Sequence, residues 1–298
     1  MTDAGPITPA VSDTARWVAA YRAEESARPD ALFHDPLAAL LTGEVGHTIA
    51  AETRDFMGNG WPIIVRTKLI DERILAAITN GCDLVINLAA GLDTRPYRLD
   101  LPGDLRWIEA DLPALVAEKT HLLEAHTPRC HLTRHAVDLA DTTARRAFLS
   151  EALTGASRAF VLTEGLVMYL HPADVTQLAL DLHREEITDW VVDISSIAIA
   201  KALSRTGSEV LRNAPFHFTP TNGVAFFEGL GWTARDIEPV LQAARRFRRL
   251  PPLLRLYSRL PAPNPRLPGT RIPYSAVLHL TAEPEYSPSV QKNSSSRR

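Results

Sequence analysis

Apolar positions along the chain follow two rhythms. Between residues 11 and 78 they recur at helix spacing. Trp17, Ala20 and Tyr21 share one face, and Leu37, Leu40 and Leu41 follow the breaker pair Asp35-Pro36. Beyond residue 78 the rhythm shortens. DLVINLAAG, LRWIEAD, RAFVLTE and DWVVDIS are brief apolar runs ending at Gly91, Asp111, Glu164 and Ser195, and each predicts a strand. A further strand is expected before Asp138. Helices are expected over 113–125, 142–153 and 172–187, with Pro113 and Pro172 in first-turn positions that need no N–H donor. Such alternation predicts a parallel sheet covered on both faces, a doubly wound α/β core. Later, GVAFFEGLGWTARDIEPV predicts a helix, a Gly stop and an edge strand, and RIPYSAVLHLTA predicts a closing strand, with a proline-rich loop between them.

The expected organisation is one domain over 11–280. A helical cap occupies 11–78, and an α/β core with a lid insertion at 240–270 occupies 79–280. The tails 1–10 and 283–298 are polar, rich in Ser and Pro, and expected to be disordered. A chain of 298 residues suits one such domain. A formal net charge of -3 gives no global basic field, which argues against nucleic acid as the main partner. Cys82 and Cys130 form no CxxC pair, so a reducing compartment is expected. No run reaches the ~18 apolar residues of a membrane helix, and the first residues lack the pattern of a secretory signal. The reading is a soluble cytoplasmic protein.

In a doubly wound sheet, ligands bind beyond the carboxyl ends of the strands, so the residues there carry the candidate chemistry. Ala89-Ala90-Gly91 gives a tight turn where a ligand can approach the backbone. Asp111, twenty residues after Gly91, can accept both hydroxyls of a ribose. Asp138-Leu139 offers an acceptor for an exocyclic amine beside an apolar contact for a base. Glu164 sits in an otherwise apolar run and needs a partner if buried. Each has a plain structural reading too: Gly91 as a turn, and Asp111 or Asp138 as a helix cap. Four successive strand ends together favour an adenosine ligand. A nicotinamide dinucleotide would need GxGxxG, whereas this turn reads AAGLDT, with Asp93 where phosphates would sit. A cationic ligand without phosphates, such as S-adenosylmethionine, fits better.

NLAAGLDTRPYRL, WIEADLP with Lys119 beyond it, VDL, and LTEGLVMYL together resemble the leucine carboxyl methyltransferase family. VSDTARWVAAYRAEE, ALFHDPLA and VRTKLIDE resemble its bacterial polyketide branch of the tetracenomycin C-ester type. The likeness runs from about Val11 to Leu280. It implies a class I methyltransferase, Rossmann-like fold and S-adenosyl-L-methionine as cofactor. Carried over by position, it implies that Arg66 meets the cofactor carboxylate and Gly91 lies under its amino-acid part. Asp111 then takes the ribose, Asp138 and Leu139 the adenine, and Glu164 the amino group or nearby waters. Arg95 is either a second carboxylate partner or a buttressing salt bridge. Arg16 and Arg22 are alternatives for a basic residue over the cofactor carboxylate.

The expected activity is O-methylation of a small-molecule carboxylate, a polyketide or other secondary metabolite. A carboxylate is ionised at neutral pH and needs no base. A phenol would need one, and Tyr169, His171 and His217 are the candidates. The alternatives are a phenolic O-methyltransferase, methylation of a protein C-terminus, and a non-catalytic adenosine-binding module. His121, His126, His131 and His135 lie near Cys130, but their spacings do not give a zinc motif, and no metal is expected. The basic run at 244–250 reads first as a solvated helix face and second as a contact for an acidic substrate or carrier protein. A homodimer is a further candidate partner.

Overall fold

The computed structural model describes residues 9–57, 59–205, 208–220, 222–267 and 273–282. The expected tails at 1–8 and 283–298 lie outside these, while residues 9 and 10 already belong to a helix. Three helices open the chain: α1 (Pro9–Ser26), α2 (Ala38–Met57) and α3 (Trp61–Thr79). The alternating core follows as β1 (Leu84–Leu88), α4 (Arg95–Arg98), β2 (Arg106–Asp111), α5 (Pro113–Leu122), β3 (His131–Ala136), α6 (Thr142–Ala152) and β4 (Ala159–Thr163). After a 3-10 turn at Val167–Tyr169 come α7 (Pro172–Asp181), β5 (Ile187–Ser195), α8 (Ile197–Leu203), α9 (Glu209–Asn213) and α10 (Gly223–Glu228). β6 (Trp232–Pro239), α11 (Val240–Arg246), α12 (Pro252–Tyr257) and β7 (Ser275–Ala282) complete it.

The seven strands lie in the order β3-β2-β1-β4-β5-β7-β6. The first five are parallel, and β7 runs antiparallel to both β5 and β6. The doubly wound expectation holds, with β6 at the edge. Side-chain alternation sorts the core onto two faces. Leu84, Ile86 and Leu88 of β1 join Val161, Trp190, Phe148 and Leu178 on one side. Val85, Phe160 and Val191 join the other, against Val65, Leu69 and Ile74 of α3 and Val240 and Ala243 of α11. Of the segment expected as a cap, α3 therefore packs on the sheet. The start of the expected lid, α11, does the same. α1 lies on α2 through Trp17, Tyr21 and Ile49.

One helix is shorter than its pattern. The apolar spacing extends to residue 187, but α7 stops at Asp181 and Ile187 pairs with Ala159 instead. The shift in register between Ala159 and Phe160 lengthens β5 at its start, so sheet pairing overrides the helical pattern. The cap of α6 is Asp141, whose carboxylate accepts from Thr143 and Ala144 N–H, and not Asp138.

Candidate active site

The turn after β1 places the first site residues. Ala89 and Gly91 both adopt positive φ, 55° and 49°. A Cβ on Gly91 would lie 3.3 Å from the Ala15 Cβ of α1, so glycine keeps a gap between turn and helix. Asp93 closes the turn by accepting from Asn87 Nδ2 at 2.8 Å and from the Arg95 N–H at 2.9 Å. Asp111, at the end of β2, reaches the same turn. Its carboxylate accepts from Gly91 N–H at 2.6 Å and Leu112 N–H at 2.8 Å. Burial pushes the Asp111 carboxyl above its ordinary value although these two bonds pull the other way.

Behind the turn lies a network of buried charges. Arg95 is fully buried and gives Nε to Asp71 and Nη1 to both Asp93 and Glu164, each at 2.7 Å. This is the buttressing role. Glu164 is held from the other side by Arg66 Nε at 2.9 Å, and Arg66 Nη1 holds Asp193 at 2.8 Å. The other Asp193 oxygen accepts from Gly165 N–H at 2.7 Å. Burial alone would raise the Glu164 carboxyl, but Arg95 and Arg66 outweigh it and hold it below the usual range. Asp93 is lowered in the same way, with Arg95 the largest opposing charge.

These groups border a cavity of about 860 Å³ at the carboxyl ends of the strands. Arg66, Gly91, Asp111, Glu164 and Tyr169 all lie on its wall. Asp138, Leu139, His171 and His217 do not. Asp138 is exposed and accepts from Ala140 N–H, while Leu139 is buried with its carbonyl on Arg145. His171 and His217 are exposed and stack on each other at 4.4 Å. Tyr169 is half-buried and hydrogen-bonds Thr14 of α1, and burial raises its phenol. Between the two candidate basic residues, Arg22 lines the wall and donates to the Leu92 carbonyl at 2.6 Å, whereas Arg16 pairs with Glu118. Asp193 escaped the sequence reading. Its signal was there, a carboxylate inside an apolar strand, as for Glu164. His131 and His135 belong to β3, and among the described residues no three His, Cys, Asp or Glu side chains form a metal-binding group.

Among the described residues, four carboxylates (Asp93, Asp111, Glu164, Asp193) face three guanidiniums (Arg22, Arg66, Arg95) on the wall, which suits a ligand of net positive charge. Together with the strand order, this defines a class I methyltransferase. The sequence model of the leucine carboxyl methyltransferase family matches residues 15–182. A Parafrankia sp. (strain EAN1pec) protein, assigned as an S-adenosyl-L-methionine-dependent methyltransferase, is 33% identical over 81% of this chain and 83% of its own. One of Mycobacterium avium (strain 104), assigned likewise, is 30% identical over 84% and 88%. The chain belongs to the leucine carboxyl methyltransferase family. Among solved structures, a DUF574-family protein of Streptomyces avermitilis superposes with TM-score 0.54 at 13% identity, covering 91% of this chain and 97% of that one. A Thermobifida fusca protein assigned as a methyltransferase gives 0.51 at 13%, covering 81% and 89%. Likeness at that identity speaks to the fold.

Proposed function

We propose that the acceptor of this S-adenosylmethionine-dependent methyltransferase is the carboxylate of a small molecule, such as a polyketide acid. The observation that carries the reading is the state of the groups that would serve as a base. His171 and His217 face outward and stack on each other, and each wall carboxylate is held by arginine or by backbone N–H. An acceptor that is already an anion needs none of them.

Bound S-adenosylmethionine supplies a methyl carbon activated by a sulfonium. In this reading Asp111 accepts the ribose hydroxyls, and the adenine extends beyond the cavity wall to exposed Asp138, with Leu139, after β3. Gly91 leaves room for the amino-acid portion. Arg66 holds its carboxylate, and Glu164 its amino group. Arg95 and Asp193 fix Glu164 and Arg66 in place, so no reorganisation is needed when the ligand arrives. A carboxylate held against the sulfonium methyl would take it in one displacement, the carbon–sulfur electron pair leaving on sulfur, with no proton for a side chain to move. Dispersal of charge is favoured where water is excluded, and α1 covers the wall through Thr14, Trp17 and Val18.

No helix among the described residues is long and apolar enough to cross a membrane. The proposal places the enzyme in the cytoplasm. Its test is a pH profile. For a carboxylate acceptor, kcat/KM should stay flat between about pH 6 and 8, and His171→Gln and His217→Gln should each stay within about tenfold of wild type. A limb rising within that range that vanishes with a steep loss in either variant would replace the carboxylate by a phenol.

A further inference from the structure

The sheet order separates the cavity into two ends. The residues after β1 and β2 mark one end, while those after β5 and before β7 mark the other, with β4 between. At about 4.8 Å per strand, β2 and β5 stand roughly 14 Å apart. Among the described residues, the seven charged side chains of the wall belong to α1, α3, the turn after β1 and the ends of β2, β4 and β5. The far end is built by α8, α11, α12 and residues 260–263 and 273–276, and no charged side chain among the described residues lines it. Ile199, Leu203, Phe216, Leu241, Leu254 and Tyr274 face that space.

The apolar lining continues out to solvent. Tyr257 and Leu260 line the wall and are also 40% and 58% exposed, so they form part of its rim. Leu256 beside them is 70% exposed, an unusual position for a leucine unless something covers it. Exposed Arg255 and Arg259 flank this apolar group in sequence. Positive charge there attracts an anion at the entrance, and no charged side chain among the described residues lines the apolar wall beyond it.

We propose that the acceptor is an acid with an extended apolar body, entering carboxylate first. The carboxylate passes the rim arginines and comes to rest beside Tyr169. The body fills the space among α8, α11 and α12, and its far end covers Tyr257 and Leu260. The inference rests on the carboxylate reading above and adds what lies behind the reacting group.

Two series test it with the full chain: straight-chain acids from butanoic to hexadecanoic, and aromatic acids of one to three fused rings. kcat/KM should climb about three- to fourfold per methylene until the body reaches the rim, the factor expected for burying one methylene. Calorimetric affinity of the same acids for the protein saturated with S-adenosylhomocysteine should climb in parallel. Leu260→Asp, at an exposed position, should flatten the climb and lower kcat/KM for the longest acid at least tenfold. S-adenosylhomocysteine affinity checks that the variant is folded. A climb in either series supports the inference and says whether the body is a chain or a ring system. Two flat series, or a slope unchanged in Leu260→Asp, overturn it. Phenols carrying the same bodies form the third arm. If they are methylated and the acids are not, the carboxylate reading falls, and the slope among the phenols judges the apolar body separately.

Discussion

Asp111 carries two backbone hydrogen bonds at once, and its carboxylate ties the end of β2 to the turn after β1. Asp111→Ala should therefore weaken S-adenosylmethionine binding by at least ~1.5 kcal/mol, the scale of hydrogen bonds to a charged group, while the fold survives. Calorimetry showing unchanged affinity would leave Asp111 only its role in the turn. Ala89, two residues before Gly91, holds φ at 55°. A left-handed backbone costs an alanine roughly 1–2 kcal/mol, and glycine's larger unfolded-state entropy offsets about half of that. Ala89→Gly should thus stabilise the protein by about 0.5 kcal/mol in urea unfolding. A less stable glycine variant would mean that the Ala89 methyl packs well enough to outweigh its backbone strain.

At the scale of elements, a buried ion pair ties α1 to the segment after α11. Glu25 is fully buried and accepts from Nη2 of Arg249, three residues past the end of α11, at 2.7 Å. The same carboxylate accepts from Leu32 N–H. Removing one partner of a buried pair costs up to about 3–5 kcal/mol, and here Arg249 keeps a second, exposed partner in Asp30 at 3.2 Å, which reduces the loss. In Glu25→Ala that cost should fall on α1 before the sheet, since β1 and β4 are buried on both faces. Amide exchange in α1 should accelerate at least tenfold more than in β1 and β4, read by mass spectrometry. Equal acceleration everywhere would show that α1 opens only with global unfolding.

For the whole molecule, the buried charges set how stability depends on pH. Asp93 and Glu164 sit below the ordinary carboxylate range because of Arg95, so their contribution is complete at neutral pH and disappears as pH falls through the depressed values. In Arg95→Met the largest opposing charge is lost, so both carboxyls move up towards their ordinary values, although Arg66 still holds Glu164 and Arg22 and Lys119 still act on Asp93. The stability they contribute above their titration range shrinks accordingly, and the difference narrows as pH falls and both forms protonate. The variant should lose about 3–5 kcal/mol at pH 7, with a smaller deficit at pH 4, in urea unfolding at the two pH values. A deficit independent of pH would mean that Arg95 acts through packing and not through charge.

The chain's periodicities determined the helices before β1, the five parallel strands and the edge placement of β6. A two-residue or 3.6-residue repeat is a local property, written wherever one side of an element meets the core. Strand ends were legible for the same reason, and with them Gly91, Asp111 and Glu164. What neighbours decide was not. The short α7 follows from the register of β5 on β4, and the capping of α6 by Asp141 from the course of the loop before it. Glu164 needed a partner on burial alone, but that it has two, Arg66 and Arg95 from opposite sides, depends on α3 lying across the strand ends. The choice of Arg22 over Arg16 at the cavity wall, and the outward stacking of His171 on His217, are equally matters of orientation. A linear pattern gives a side chain's element and face. Which groups meet across a cavity is fixed only when helices remote in sequence pack over the same strand ends, because charge and hydrogen-bond partners act through space at a few ångströms.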